Sequence, residues 1–274
     1  QYSKLGGMVL IDIHAHILPG FDDGAQTIEE SIEMAKQAVD EGITTIVGTP
    51  HIYDILTGPG REEILRRTEE LNLALAERGI NCQVLPGGEI HVSADLPERL
   101  KRGEVITLGD GGKYMLLELP LQQLPAFTEQ VIYELNLAGV RPIIAHPERN
   151  MEIMQKPELL ERLIHLGALT QVSSGSLLGN FGKQVSKVSH YLLTHGLLHI
   201  IASDGHSPRR RRVKMAAAAQ RVKEILGEKA AIRMTKVRPE SILRGENVEI
   251  PKIKRSNLIQ LLQYCVSLAL AHLN

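Results

Sequence analysis

Seven short apolar runs, each ending in polar or ionisable residues, constrain this chain more than any other feature. They are VLIDIHAH (9–16), TTIVGTPH (44–51), NCQVLPGGEIH (81–91), YMLLELP (114–120), RPIIAHPER (141–149), LTQVSSG (169–175) and HIIASDGH (199–206). Each is nearly continuous in hydrophobicity and rich in Val and Ile, as strands covered on both faces are. Helical patterns stand between many of them, at 27–42, 61–79, 128–139, 157–167, 185–196 and 215–227. In the first, Ile28, Ile32, Ala35 and Val39 share a face, and Thr27 with Glu30 makes a T-x-x-E capping box. Gly42, Gly79, Gly139, Gly167 and Gly196 close helices just before the next run, where a left-handed residue is easiest without a Cβ. Strands alternating with helices predict parallel βα units with right-handed crossovers. A closed or nearly closed α/β barrel is the first expectation. An open doubly wound sheet is the alternative that periodicity leaves standing.

The 274 residues suit such a barrel as a single domain over 8–250. Residues 251–274 are expected to form a C-terminal helical extension packed on the barrel or on a partner subunit. Asn257, Gln260 and Gln263 interrupt its apolar run, so stable membrane insertion is not expected. Residues 1–7 (QYSKLGG) are set aside as a short extension before Met8. A net charge of −1 gives no global pull toward nucleic acid or membrane. With 3% aromatic residues and no Trp, a base-stacking platform is not expected either. Cys82 and Cys265 are too few and too far apart for a disulfide framework or a thiolate zinc site. Together with the lack of a visible secretory signal, this fits a reducing cytoplasm.

The polar run-endings line up as one candidate site. His14 and His16 end the first run, His51 the second, Glu89 the third, Glu118 the fourth and His146 the fifth. Asp204 and His206 end the seventh. In a barrel the strand C-termini converge on one face, so residues this far apart in sequence meet in one pocket. Imidazole and carboxylate without thiolate suit Mn, Fe or Zn. Residues two apart point to the same side of a strand, so H-x-H can chelate one ion, and D-x-H repeats the arrangement. With Asp23 the candidates exceed what one ion needs, and two or three divalent ions are implied. Asp12 lies one step deeper in the first strand and is expected to support the ligands rather than ligate. His91 follows Glu89 at ligand spacing but is left outside the set. His165, His190, His195, His199 and His272 read as packed or surface residues, and Cys82 as core.

The motifs DIHAHILPGFDDG, GTPH, GGEI, LLEL, AHPER and ASDGH resemble the PHP (polymerase and histidinol phosphatase) superfamily. More narrowly, they resemble its bacterial tyrosine-protein phosphatases of the CpsB/CapC type, over roughly residues 8–247. The resemblance implies a distorted (β/α)7 TIM-like barrel and a trinuclear site, with manganese the first choice of ion. By resemblance, one metal would take His14, His16, Glu89 and Asp204. A second would share Glu89 and take Glu118 and His146. A third would take His51, His206 and an aspartate of the DDG, with Asp23 preferred over Asp22. Glu118 stands where other superfamily members often carry histidine, which favours the tyrosine-phosphatase branch.

The implied reaction is hydrolysis of phosphotyrosine by a metal-activated hydroxide, with Asp204 and His206 at the reacting centre. The implied partner is a phosphotyrosine protein, a bacterial tyrosine kinase that controls capsule or exopolysaccharide synthesis. Arginines are expected to finish the phosphate pocket, since guanidinium matches phosphate oxygens two at a time. Arg149 lies three residues past His146, and by resemblance Arg211 within PRRRR (208–212) aligns with the family's phosphate-binding arginine, with Arg209, Arg210 and Arg212 as neighbouring alternatives. That run also suits an acidic phosphopeptide. Two further readings are a phosphatase for a small metabolite such as histidinol phosphate and a non-catalytic, metal-stabilised scaffold that docks a kinase. The oligomeric state is left open.

Overall fold

A computed structural model describes residues 9–54, 58–251 and 253. The extensions at 1–7 and 254–274, with Cys265 and His272, lie outside the described residues. The strands are β1 (Leu10–Ala15), β2 (Ile43–Gly48), β3 (His51–Ile52), β4 (Gln83–Pro86), β5 (Glu89–His91), β6 (Tyr114–Glu118), β7 (Arg141–Ala145), β8 (Leu169–Ser173) and β9 (Ile200–Ala202). The helices are α1 (Ile28–Asp40), α2 (Arg61–Glu77), α3 (Leu96–Lys101), α4 (Thr128–Leu137), α5 (Met151–Gln155), α6 (Glu158–His165), α7 (Ser174–Leu177), α8 (Lys183–His195), α9 (Ala216–Leu226), α10 (Glu228–Ile232) and α11 (Arg238–Leu243).

Every strand pairing is parallel, in the orders β1-β2-β4 and β3-β5-β6-β7-β8-β9. The two sheets arise because the second and third of the seven expected strands are each broken once. Thr49 and Pro50 separate β2 from β3, and Gly87 and Gly88 separate β4 from β5. Pro50 has no N–H to give a ladder, although its carbonyl accepts from the Glu89 amide at 3.0 Å. At the other edge, the chain just past β9 returns to β1. Asp204 N donates to His14 O and His16 N to Gly205 O, each at 2.8 Å, and Ala15 bridges Gly205 in parallel. Seven strand positions therefore follow one another round to the first, an order that fits a barrel-like (β/α) arrangement better than an open doubly wound sheet.

The core explains the placement of the site. Tyr114 and Leu116, Ile143 and Ala145, Leu169, and Ile200 and Ala202 form one buried cluster with Ile13 and Val47. The intervening Met115, Leu117, Ile144, Val172 and Ile201 belong to a larger cluster shared with the helices. Alternation thus separates an inner face from a helix-covered one. Along the inner face, the positions beyond the apolar layer are Glu118, Gln171, Ser173 and Asp204.

The helix-closing glycines Gly42, Gly79, Gly139, Gly167 and Gly196 all carry positive φ, from 65° to 105°. The capping box forms only by half. Thr27 Oγ1 accepts from Glu30 N at 3.3 Å, but Glu30 turns to accept from Gln26 N at 2.9 Å. Cys82 is buried, and burial followed by nearby Asp12 pushes its thiol up to about 12, so it stays an inert core residue.

Candidate metal centre

Nine side chains from six strand ends converge on one point. Glu89 is at its centre and fully buried. One carboxylate oxygen lies 2.7 Å from His146 Nε2. The other lies 3.2 Å from His14 Nε2, 3.3 Å from His16 Nε2 and 3.1 Å from His51 Nδ1. His51 and Glu89 are direct partners in the β3–β5 ladder, so a single rung sets their approach.

Four overlapping groups place one ligand atom per residue within 4.8 Å of one another: His14, Glu89 and His146; His14, His16 and Asp204; His51, Glu89 and Glu118; and His16, Asp23, His51 and His206. Every candidate ligand named from the sequence falls in at least one. The grouping departs from the division the resemblance implies: His146 groups with His14 and Glu89, and His16 also joins Asp23, His51 and His206. Glu118 groups with His51, from which its carboxylate is 3.5 Å, and stands 3.9 Å from His146.

Backbone geometry aims these side chains. His146 (φ 30°) and Asp204 (φ 53°) are two of three non-glycine residues with positive φ among the described residues. Such conformations cost on the order of 1–3 kcal/mol and persist where surrounding structure imposes them. After β1, the loop doubles back on itself, with Ala25 N donating to His16 O at 3.0 Å. Gly24 permits this, since a Cβ there would lie 2.3 Å from His16 O and 2.5 Å from His16 Cβ. The DDG turn is thereby pressed against the H-x-H segment.

The turn resolves its two aspartates into different tasks. Asp22 accepts from His16 Nδ1 at 2.6 Å, His51 N at 2.8 Å and Gly24 N at 2.8 Å. Asp23 instead extends toward the cluster, 3.4 Å from His206 Nε2 and 3.7 Å from His51 Nε2. His14 Nδ1 bonds Gln171 Oε1 at 2.8 Å, and His206 Nδ1 bonds Asp204 O at 3.0 Å. In each of these three histidines one nitrogen is tied down, so that Nε2 faces the cluster. Asp12 does not contact the His14 ring. Its carboxylate accepts from the backbone of His14 (3.3 Å) and Ser203 (2.9 Å), bracing β1 against β9, and Gln171 holds the ring instead.

The electrostatics favour bound cations. Buried unpaired carboxylates cost several kcal/mol each, so these must be compensated. Burial works against charge on Glu89, but His14 and His146 hold its carboxyl well below the usual range. Burial likewise opposes charge on Asp204, and Arg149, His14 and Arg211 overcome it, keeping its carboxyl well below that range. His16 rises to about 10 despite burial, through Asp22 and Glu89, whereas burial and the neighbouring His16 lower His206 to about 2. Glu118 falls to about 2, burial being outweighed by His51 and His91. His51 Nδ1, Glu89 Oε2, Glu118 Oε2 and His206 Nε2 are buried without a satisfactory hydrogen bond, and all face the same cluster. Orphaned donor atoms of this kind, in an all-nitrogen-and-oxygen set, fit hard-to-borderline divalent ions.

Both predicted arginines reach the cluster. Arg149 Nη2 bonds Asp204 Oδ2 and donates to Ser173 Oγ at 3.0 Å, while Arg211 Nη2 stands 2.7 Å from Asp204 Oδ1. Arg209, Arg210 and Arg212 are exposed, and Arg212 turns away to Gln37 at 3.1 Å. His91, left outside the ligand set, is 3.7 Å from Glu118. Gln171, Ser173, Tyr53 and Phe181 are the site residues that sequence reasoning passed over. Tyr53 stacks on His51 with ring centres 4.8 Å apart. An open groove of about 530 Å³ leads in past Phe21, Asp22, Asp23, His51, Tyr53 and Glu63.

Comparison with known proteins identifies relatives of the chain. The chain is 38% identical over 239 residues to the tyrosine-protein phosphatase YwqE of Bacillus subtilis, covering 87% of this chain and 93% of that protein. It is 41% identical over 200 residues to the CapC protein of Staphylococcus aureus, covering 72% of this chain and 77% of that protein. Its fold superposes with a TM-score of 0.85 and 37% identity on a structure from a study of YwqE and Streptococcus pneumoniae CpsB, described as unique metal-dependent tyrosine phosphatases. That match covers 90% of this chain and all of the other. A family model described as capsular polysaccharide synthesis, CpsB/CapC, matches residues 10–244, a span that holds every strand and every candidate ligand, and the chain belongs to that family.

Proposed function

We propose that the chain is a metal-dependent protein-tyrosine phosphatase whose ions are held by His14, His16, Asp23, His51, Glu89, Glu118, His146, Asp204 and His206. The observation that carries this reading is Glu89, a buried carboxylate with imidazoles on both oxygens and a place in two of the ligand groups. Glu89 is the residue suited to bridge ions, and the overlapping groups supply donors for two or three of them. Manganese is our first choice among Mn, Fe and Zn, because the donors are imidazole and carboxylate without thiolate. Such ions, when bound, supply Lewis acidity that lowers the pKa of a water nucleophile and neutralises phosphoryl charge.

The chain's own residues do the rest. Arg149 and Arg211 flank the cluster and present guanidinium groups to phosphoryl oxygens. Asp22 and Gln171 fix the His16 and His14 rings, so that both Nε2 atoms stay directed inward. The groove beside Tyr53, of about 530 Å³, is the space this reading gives to a side chain that carries its phosphate at the end of an aromatic ring. A tyrosyl oxygen leaves readily, its conjugate acid having pKa ~10, so no nucleophilic cysteine is needed, and buried Cys82 could not serve as one. The physiological substrate in this reading is an autophosphorylated bacterial tyrosine kinase governing capsule or exopolysaccharide synthesis. Among the described residues no helix is long and apolar enough to cross a membrane, and we place the protein in the cytoplasm, where such a kinase presents its phosphotyrosines.

The deciding assay compares kcat/KM for a phosphotyrosine peptide and for histidinol phosphate with Mn²⁺ present and after chelation. Metal-dependent preference for the peptide is expected. A much better rate with histidinol phosphate replaces the reading by the metabolite phosphatase, and metal binding without turnover of either replaces it by the scaffold.

A further inference from the structure

Arg149 has two kinds of contact. Its bond to Asp204 is to a candidate metal ligand, whose charge an ion would claim. Its other contacts are Ser173 Oγ, at 3.0 Å, and the face of Phe181, whose ring centre lies 3.9 Å from the guanidinium carbon. The same ring lies 5.6 Å from the guanidinium carbon of Arg211. The Nε atoms of both arginines are buried without a hydrogen bond, and beside Asp204 the aromatic face adds to what offsets their positive charge.

The ring is itself held in place. Phe181 sits in the turn between α7 and α8, where Asn180 N donates to Gly175 O at 2.8 Å and Gly182 N to Gly179 O at 3.1 Å. A Cβ at Gly175 would come within 2.9 Å of Phe181 Cε2, so the ring occupies space that only glycine leaves open. Phe181 is 36% exposed and is one of only three phenylalanines in the chain. An apolar side chain left this open at the mouth of a charged site is explained by what it touches.

We propose that Phe181 is a positioning residue for the phosphate subsite: its ring face holds the Arg149 guanidinium, and secondarily that of Arg211, beside the metal cluster. The inference rests on the phosphatase reading above. Removing the ring frees Arg149 to rotate away whenever Asp204 is engaged elsewhere, which weakens phosphate binding without touching a ligand.

The test uses the full chain loaded with Mn²⁺. Inorganic phosphate affinity is measured by calorimetry, alongside metal content, thermal midpoint and phosphotyrosine-peptide kinetics. Phe181→Leu keeps an apolar side chain but loses the quadrupole. It is expected to weaken phosphate binding and raise KM about three- to tenfold, with metal content unchanged. Phe181→Tyr is expected to restore both. In an Arg149→Ala background, Phe181→Leu is expected to lose most of its effect, leaving only the part that acts through Arg211. Wild-type phosphate affinity in Phe181→Leu, or an undiminished effect without Arg149, overturns the proposal. Because calorimetry needs no turnover, a chain that binds phosphate through this pair yet hydrolyses no aryl phosphate faults the phosphatase reading alone.

Discussion

Asp22 accepts a hydrogen bond from His16 Nδ1 at 2.6 Å, and this contact sets it apart from adjacent Asp23, which faces His206 and His51. The imidazole pulls the Asp22 carboxyl down to about 2 despite burial, so the bond is charge-assisted. Asp22→Asn is expected to weaken metal affinity about 10–100-fold, the usual size for a residue that orients a ligand. Asp23→Ala is expected to remove one ion while the others stay. Titration of metal content against free ion in the two variants checks this, and a full complement in Asp23→Ala would return Asp22 to the ligand set.

Glu89 touches four histidines, whereas His146 touches Glu89 and Glu118. Glu89→Gln is therefore expected to lower the metal stoichiometry by more than one ion per chain, and His146→Ala by one. Both should lose nearly all turnover. Elemental analysis of the purified variants distinguishes a bridging carboxylate from a terminal one.

Arg149→Lys keeps the charge but loses the planar fork. We expect kcat/KM for a phosphotyrosine peptide to fall about 10–100-fold with metal content intact, equivalent to about 1.4–2.8 kcal/mol of transition-state stabilisation. Unchanged kinetics would remove Arg149 from the phosphate subsite.

His199 offers a pH test far from the ions. Burial, followed by the charges of Arg238 and Arg141, lowers it to about 3, and Thr170 N donates to its Nδ1 at 3.1 Å. Its ordinary value is near 6.5, so between pH 6.5 and 3 the unfolded chain binds a proton that the folded chain does not. Stability from this group is thus full above pH 6.5 and declines as pH falls through that window. His199→Asn retains an acceptor for Thr170 and does not titrate. Denaturant unfolding of the ion-free protein from pH 7 to 4.5 should show a shallower loss for the variant, by roughly 1–3 kcal/mol.

The barrel was legible because its signals are periodic. Val- and Ile-rich runs, helical faces and closing glycines such as Gly42 and Gly196 act locally, and local rules predict them. The candidate ligands were legible for a related reason, since His14, Glu118 and Asp204 stand at strand ends, where topology brings distant residues together. What stayed hidden depends on contacts with no local pattern. Gln171 holds His14 across 157 positions of sequence, and Phe181 reaches Arg149 from a turn whose composition is unremarked. The breaks at Thr49–Pro50 and Gly87–Gly88 were hidden as well, because an interrupted strand keeps its hydrophobic run.

His146 and Asp204 occupy left-handed backbone, a conformation that glycine adopts without strain. A chain optimised only to fold would place glycine there, and His146→Gly should stand up to denaturant better than His146→Ala. Any search for hardier variants of this protein, guided by stability alone, would thus drift toward erasing its candidate ligands, and those positions should be held fixed before such a search begins.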